Sequence, residues 1–289
     1  MVSYTIEKLL QDGINLIKKR DYINPALDVQ LILSYLLNKD KIYLILHKDE
    51  VVEEEVANKF FTMVNRRNEG YPLQYMTNSQ EFMGLELYIR EGVLVPRPDT
   101  EILAEKIINI AKQPDFIDKK LRILDIGTGS GAIAVSLGYY LENSEITAID
   151  ISKEAVEIAE INVKKHNLTN VSIFESDLFE DTFLLNKKYD IVVSNPPYIE
   201  EDTIPQLMTE VSRYEPKIAL DGGPDGLDYY RRIAAVFKRV HSDNSILSVE
   251  IGSNQRYKVM EIFKNINILT RIECDKDLSG NDRVVTGFL

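Results

Sequence analysis

Along residues 1 to about 68 the apolar positions recur at helical spacing. A first segment runs from Tyr4-Thr5-Ile6 through Leu9, Leu10, Ile14, Leu16 and Ile17. Pro25 suits the first turn of a second helix carrying Leu27, Val29, Leu31, Ile32, Leu33 and Leu36. A third, from about Glu53 to Asn68, stops before Gly70, and no strand-like alternation interrupts these segments. The pattern predicts a small helical bundle over 1–70. Between 71 and 95 the character changes: Pro72, Gly84 and Gly92 punctuate an aromatic and aliphatic stretch, and Phe82–Ile89 reads as a hairpin in a connector. Pro96-Arg97-Pro98-Asp99-Thr100-Glu101 then leads into a helix at about 101–112, with Asp99 or Thr100 expected as its N-cap and Glu101 at the positive end of its dipole.

From Leu121 the period alternates between strand and helix. Strands are expected at Leu121–Ile126, Glu145–Asp150, Val171–Glu175, Asp190–Ser194 and Ser245–Ile251, with helices at about 131–141, 153–166 and 227–241. The tail offers two further strands, Ile266–Ile272 and Arg283–Leu289. Continuous apolar strands separated by helices imply an α/β domain over 96–289, its mostly parallel sheet covered on both faces.

The glycines sit where that architecture binds ligands. Asp125-Ile126-Gly127-Thr128-Gly129-Ser130-Gly131 follows the first strand and opens a helix. Glycines there permit a tight turn and let a ligand lie on bare backbone. The spacing is G-x-G-x-G, unlike the dinucleotide pattern, and Asp125 precedes it. A carboxylate beside the ligand repels a pyrophosphate and attracts an ammonium group, which favours S-adenosylmethionine over NAD. Asp150, at the end of the second strand, stands where a carboxylate accepts from ribose hydroxyls. Asp177, after the third strand, is placed to accept from an adenine amino group, with Leu178 packing on the ring.

The fourth strand stops at Asn195-Pro196-Pro197-Tyr198, because two prolines cannot continue a ladder. A planar nitrogen is a poor nucleophile. Its two N–H groups donate to the Asn195 side-chain carbonyl and the Pro196 backbone carbonyl, which orient it and stabilise the charge that develops on attack. Tyr198 offers a flat face for the planar group. The tetrapeptide thus points to methylation of an amide or of a base amine, with Asn195, Pro196 and Tyr198 as the catalytic set and Pro197 completing the substrate pocket.

Composition narrows the choice. The net charge is −12, which disfavours a protein whose main work is gripping phosphate backbones. No stable nucleic-acid binding is expected. The single cysteine, Cys274, forbids an intramolecular disulfide and suits a reducing cytoplasm. No apolar run approaches the roughly 18 residues of a membrane span, and no signal-peptide pattern opens the chain. His47, His166 and His241 lack metal-ligand spacing, so no metal is expected.

The whole chain resembles the release factor glutamine methyltransferases, the HemK/PrmC family. The resemblance rests on Gly70-Tyr71-Pro72-Leu73-Gln74-Tyr75, Glu81–Leu85, Val95–Glu101, Asp125–Gly131 and Ser194–Tyr198. It continues through Tyr214-Glu215-Pro216, Ala219–Gly223, Asp225-Gly226-Leu227, Glu250-Ile251-Gly252 and Asp282-Arg283. It implies a Rossmann-like domain with a seven-stranded sheet, its last strand antiparallel, and a helical domain that helps bind the substrate protein. It implies that S-adenosylmethionine is held by Gly127, Thr128, Gly129, Ser130, Gly131, Asp150, Leu178 and Asn195, to which the reading of the strand ends adds Asp177. It implies that the glutamine of the Gly-Gly-Gln motif in release factors is held by Asn195 to Tyr198. A cytoplasmic monomer is expected. Members often carry an aromatic residue where Leu178 stands. Arg97 is read either as closing the cofactor pocket or as a surface ion pair, and Glu215 and Glu250 as structural supports. The rival readings are an amino-methyltransferase acting on adenine or guanine, with Tyr198 stacking on a flipped base, and a non-catalytic S-adenosylmethionine-binding protein.

Overall fold

The computed structural model describes residues 4–18, 20, 23–177 and 186–289. The chain forms two compact units, one of Met1–Ser79 with Met208–Tyr214, the other of Gln80–Leu207 with Glu215–Leu289.

The first unit is built on helices α1 (Ile6–Leu16), α2 (Pro25–Leu37), α3 (Lys41–Leu46), α4 (Glu54–Asn68) and α5 (Leu73–Thr77). Three starts are capped by side chains: Thr5 accepts from Lys8 N–H, Asn24 from Leu27 N–H and Asp40 from Tyr43 N–H. Pro25 is the first residue of α2, as expected, and Asn38 ends that helix in the left-handed conformation. The short α3 and a two-residue pairing of Tyr4–Thr5 with Val51–Val52 were not legible in the periodicity. Ile6, Leu9, Val29, Ile32, Leu33, Phe60 and Val64 fill the core. Gly13 lets α1 approach α4, since a Cβ there would lie 2.7 Å from Phe60 Cζ. Buried Arg67 donates to Asp28 at 2.6 Å and to Glu210, on the short helix Thr209–Tyr214, at 2.8 Å.

The second unit opens with a two-stranded sheet, β1 (Ser79–Phe82, its first residue counted with the helical unit) and β2 (Leu85–Tyr88). The connecting residues Met83 and Gly84 both have positive φ (53° and 71°), as a tight hairpin turn requires. The main elements follow: α6 (Glu101–Ala111), β3 (Leu121–Ile126), α7 (Ala132–Tyr140), β4 (Ser144–Asp150), α8 (Lys153–Lys165), β5 (Val171–Glu175) and β6 (Tyr189–Ser194). Next come α9 (Asp228–Val240), β7 (His241–Glu250), α10 (Arg256–Lys264), β8 (Arg271–Lys276) and β9 (Asp282–Phe288). The seven strands β3 to β9 lie in the order β8-β9-β7-β6-β3-β4-β5. Neighbours from β5 to β7 are parallel, and β9, the last strand in the chain, runs against both β7 and β8.

Alternation across the strands explains their continuous apolar runs. Ile123, Ile191 and Val193 face α6 and α7, among Leu103, Ile107 and Leu137. Leu124 and Val192 face α9 and α10, among Tyr230, Ile233, Phe237, Val259 and Phe263. Two expectations need correction. The sixth strand begins at Arg271, not Ile266, because buried Ile266 and partly buried Ile268 and Leu269 pack the turn after α10 against the core. Thr100 stands at the N-cap position of α6 but makes no capping hydrogen bond. Pro98–Thr100 forms a 3-10 turn, Thr100 is already helical, and no side chain caps the start of α6.

Candidate active site

Three strands end at one level. The register sets Ile126 of β3 opposite Ile149 of β4 on one side and Ser194 of β6 on the other. Gly127, Asp150 and Asn195 therefore leave the sheet side by side. The Ser194 hydroxyl donates to the Ile126 carbonyl at 2.7 Å and ties two of those ends together. After β5 the chain crosses to the other side of β3, so the crevice at the β3–β6 boundary is a topological switch point.

A cleft there is lined by Gly127, Thr128, Gly129, Ser130, Asp150, Asp177, Asn195, Pro196 and Pro197. Leu178 lies outside the described residues. Gly127 and Gly129 have φ of 69° and 57°, and a Cβ on either would meet nothing within 4 Å. Left-handed backbone and bare surface explain both glycines. Gly131 serves packing: it precedes α7 with φ 82°, and a Cβ would sit 3.1 Å from that of Ala159 on α8.

The acids are more committed than their spacing implied. Asp150 accepts from Gly129 N–H at 2.8 Å and Ser152 N–H at 2.9 Å, one on each oxygen, and burial pushes its pKa up. Asp177 accepts from Arg232 at 2.7 Å, in a pair about one-third exposed. Asp125 does not line the cleft. It is fully buried behind the glycine loop, accepts from the Thr128 hydroxyl at 2.7 Å, and burial raises its pKa to about 7.

Asn195 donates through Nδ2 to Thr100 Oγ1 at 3.0 Å. Thr100 donates to Glu250 Oε2 at 2.6 Å, and the Tyr198 hydroxyl donates to Glu250 Oε1 at 3.3 Å. No donor among the described residues reaches the Asn195 side-chain oxygen or the Pro196 carbonyl. Tyr198 is partly buried, and burial together with the Glu250 charge holds its phenol well above the ordinary value. Arg97 lines the cleft and also donates to Glu215, whose side chain is fully buried.

Several groups that build the site carry no motif. Gln255 donates to the Tyr198 carbonyl at 2.9 Å and to the Gly226 carbonyl at 3.1 Å. A Cβ on Gly226 would lie 2.4 Å from the Tyr198 carbonyl oxygen, and one on Gly222 would lie 2.8 Å from Tyr198 Cα. The Gly222–Gly226 turn thus packs directly on the backbone of the tetrapeptide. Fully buried Asn162 donates to the Ser130 carbonyl at 2.9 Å and exchanges hydrogen bonds with the Tyr88 backbone, anchoring the glycine loop to the hairpin. The advance signals were the density of glycine at 222–226 and, for Thr100, its place in the Val95–Glu101 stretch; Asn162 and Gln255 sit in ordinary amphipathic or loop sequence.

Comparison with known proteins agrees with this geometry. The family model described as the PrmC N-terminal domain matches residues 8–77, and that of the methyltransferase small domain matches residues 100–214. The chain is 42% identical over 259 residues to the release factor glutamine methyltransferase of Clostridium acetobutylicum, covering 89% of each chain. It is 37% identical to the enzyme of the same name from Clostridium botulinum, covering 97% of this chain and 98% of that one. Among solved structures, the human methyltransferase 10 domain containing protein superposes with a TM-score of 0.50 at 20% identity. That match covers 71% of this chain and 89% of that one, a likeness of fold.

Proposed function

The chain belongs to the release factor glutamine methyltransferases, and on that premise we propose that it methylates the side-chain amide of the glutamine in the Gly-Gly-Gln motif of peptide-chain release factors, giving N5-methylglutamine. The observation that carries this reading is the pair of acceptors at the end of β6: the Asn195 side-chain carbonyl and the Pro196 backbone carbonyl, beside the glycine loop in one cleft.

The cleft suits S-adenosylmethionine. Gly127 and Gly129 line it with bare, left-handed backbone. Asp150 is fixed by two backbone N–H groups and keeps a lone pair on each oxygen for hydroxyl donors. Gly127 to Gly131, Asp150, Asp177, Leu178 and Asn195 are the residues assigned to the cofactor, with Gly131 and Asp177 acting through the loop and the Arg232 pair. When bound, S-adenosylmethionine supplies a methyl group already activated on a sulfonium sulfur.

The remaining catalysis is positioning. An amide nitrogen shares its lone pair with its carbonyl. Accepting both of its N–H bonds orients that lone pair and opposes the positive charge that develops on nitrogen. Asn195 and Pro196 supply the acceptors, while Pro197 and Tyr198 shape the slot for the planar group. The proton leaves nitrogen after attack, so no buried general base is needed. The helical region, residues 1–70, helps bind the release factor; the match to the PrmC N-terminal domain supports this. The connector, 71–95, lends Gly92, Val93 and Leu94 to the cleft wall of a catalytic region running from 96 to 289. No helix among the described residues is long and apolar enough to cross a membrane. We place the enzyme in the cytoplasm, where release factors act, as a monomer without stable nucleic-acid binding.

The test is incubation with methyl-labelled S-adenosylmethionine and either unmodified release factor or nucleic acid. Label on the release factor is expected. Label only in nucleic acid would replace this reading with base methylation, and donor binding without transfer to either would leave a binding protein.

A further inference from the structure

We infer that Thr100 and Glu250 form a positioning pair that fixes which end of the Asn195 side chain faces the reacting nitrogen. This rests on the reading of Asn195 as the nitrogen clamp.

Thr100 has one hydroxyl proton. Its oxygen lies 2.6 Å from Glu250 Oε2, a short contact typical of a hydroxyl donating to a carboxylate. An ionised carboxylate only accepts, so the Thr100 proton points at Glu250 and its lone pairs are left to accept. The Asn195 atom 3.0 Å away must then be the NH₂ nitrogen. A flipped amide would set two acceptors against each other. The side-chain carbonyl is thereby turned from Thr100 and left to accept from substrate. Sequence separations of 150 residues for Thr100–Glu250 and 95 for Asn195–Thr100 make this a product of the fold.

Glu250 is held from every side. It ends β7 and is 1% exposed. Tyr198 donates to its other oxygen at 3.3 Å, and Tyr230 of α9 donates to its backbone carbonyl at 3.0 Å. Arg283 of β9 favours its charge, while Asp99, which pairs with Arg283 at 3.1 Å, opposes it. The net effect of burial is a carboxyl pushed up to about 7. A protonated Glu250 becomes a donor. Once it donates to Thr100, the Thr100 proton swings to Asn195 and calls for the carbonyl end, which withdraws that carbonyl from the substrate.

The experiment uses the full chain, labelled S-adenosylmethionine and unmodified release factor. It compares wild type with Thr100→Val, Thr100→Ser, Glu250→Gln and Asn195→Ala, with folding checked by circular dichroism. Thr100→Val should lower kcat about tenfold or more, the effect of losing about 1.4 kcal/mol of transition-state stabilisation, with a smaller change in KM for release factor because the acceptor also orients the bound amide but strengthens as charge develops on nitrogen. Thr100→Ser keeps the hydroxyl and should recover kcat to within about threefold, a difference below 1 kcal/mol. Wild-type kcat should fall as pH drops through about 7, and Glu250→Gln should lose that limb. Wild-type turnover in Thr100→Val, a Thr100→Ser as slow as the valine variant, or a wild-type profile flat across that range each overturns the pair. The pH profile decides if Thr100→Val does not fold. An inactive Asn195→Ala beside a fully active Thr100→Val removes only the positioning pair, whereas a fully active Asn195→Ala removes the clamp itself.

Discussion

Arg97 donates to Glu215 at 2.5 Å, joining a residue of the cleft wall to a carboxylate with no exposed side-chain surface. Glu215 also accepts from Val95 N–H at 3.3 Å. The two alternatives posed for Arg97, pocket wall and ion pair, are therefore one arrangement, in which Glu215 is the fixed end. Removing Glu215 strands a backbone donor and releases Arg97. Glu215→Ala should destabilise by about 1–3 kcal/mol, the range for an unpaired buried polar group, with the guanidinium's share small because it is partly in water. Chemical denaturation measures this, and Arg97→Ala should cost less.

Asp150 is a hub of the cofactor end. It holds the glycine loop through Gly129 N–H and the start of α8 through Ser152 N–H. Asp150→Ala removes both and the acceptors assigned to ribose. Hydrogen bonds to a charged group contribute about 1.5–3 kcal/mol each, so donor affinity should fall at least tenfold by calorimetry. Asp177→Asn, in a solvent-shared pair with Arg232, should weaken binding less.

Asp125 makes stability depend on pH in a defined direction. Burial raises its folded value to about 7, above an unfolded value of about 3.9. Between those values the native state holds a proton that the unfolded chain has released, so this contribution is complete at low pH and is lost as pH rises through about 7. Asp125→Asn lacks that loss. Its thermal midpoint relative to wild type should therefore rise from about pH 4 to about pH 7, the window spanned by the two values, and level off above it. A difference that stays flat or shrinks would contradict the assignment.

What the sequence made legible was whatever local period and local chemistry dictate. β3 and β5 have the bounds their patterns predict, and the glycine loop and the tetrapeptide fall at strand ends because glycine and proline break the ladder. β8 escaped because Arg271-Ile272-Glu273-Cys274-Asp275-Lys276 is a polar strand at the sheet edge, while the apolar residues before it pack a turn. The partners of Asn195 were hidden for another reason. Thr100 reads as a helix cap, and only the sheet order brings it to Glu250 and Asn195. Asp125 looked like a ligand contact by spacing, yet Thr128 and burial claim it.

The most direct measurement maps the methyl group on release factor by peptide mass spectrometry after reaction with wild type and with Asn195→Ala. Wild type should place one methyl on the side-chain amide of the Gly-Gly-Gln glutamine, and Asn195→Ala should leave that glutamine essentially unmodified while remaining folded. Methylation elsewhere, or a fully methylated glutamine with Asn195→Ala, would contradict the role assigned to the tetrapeptide.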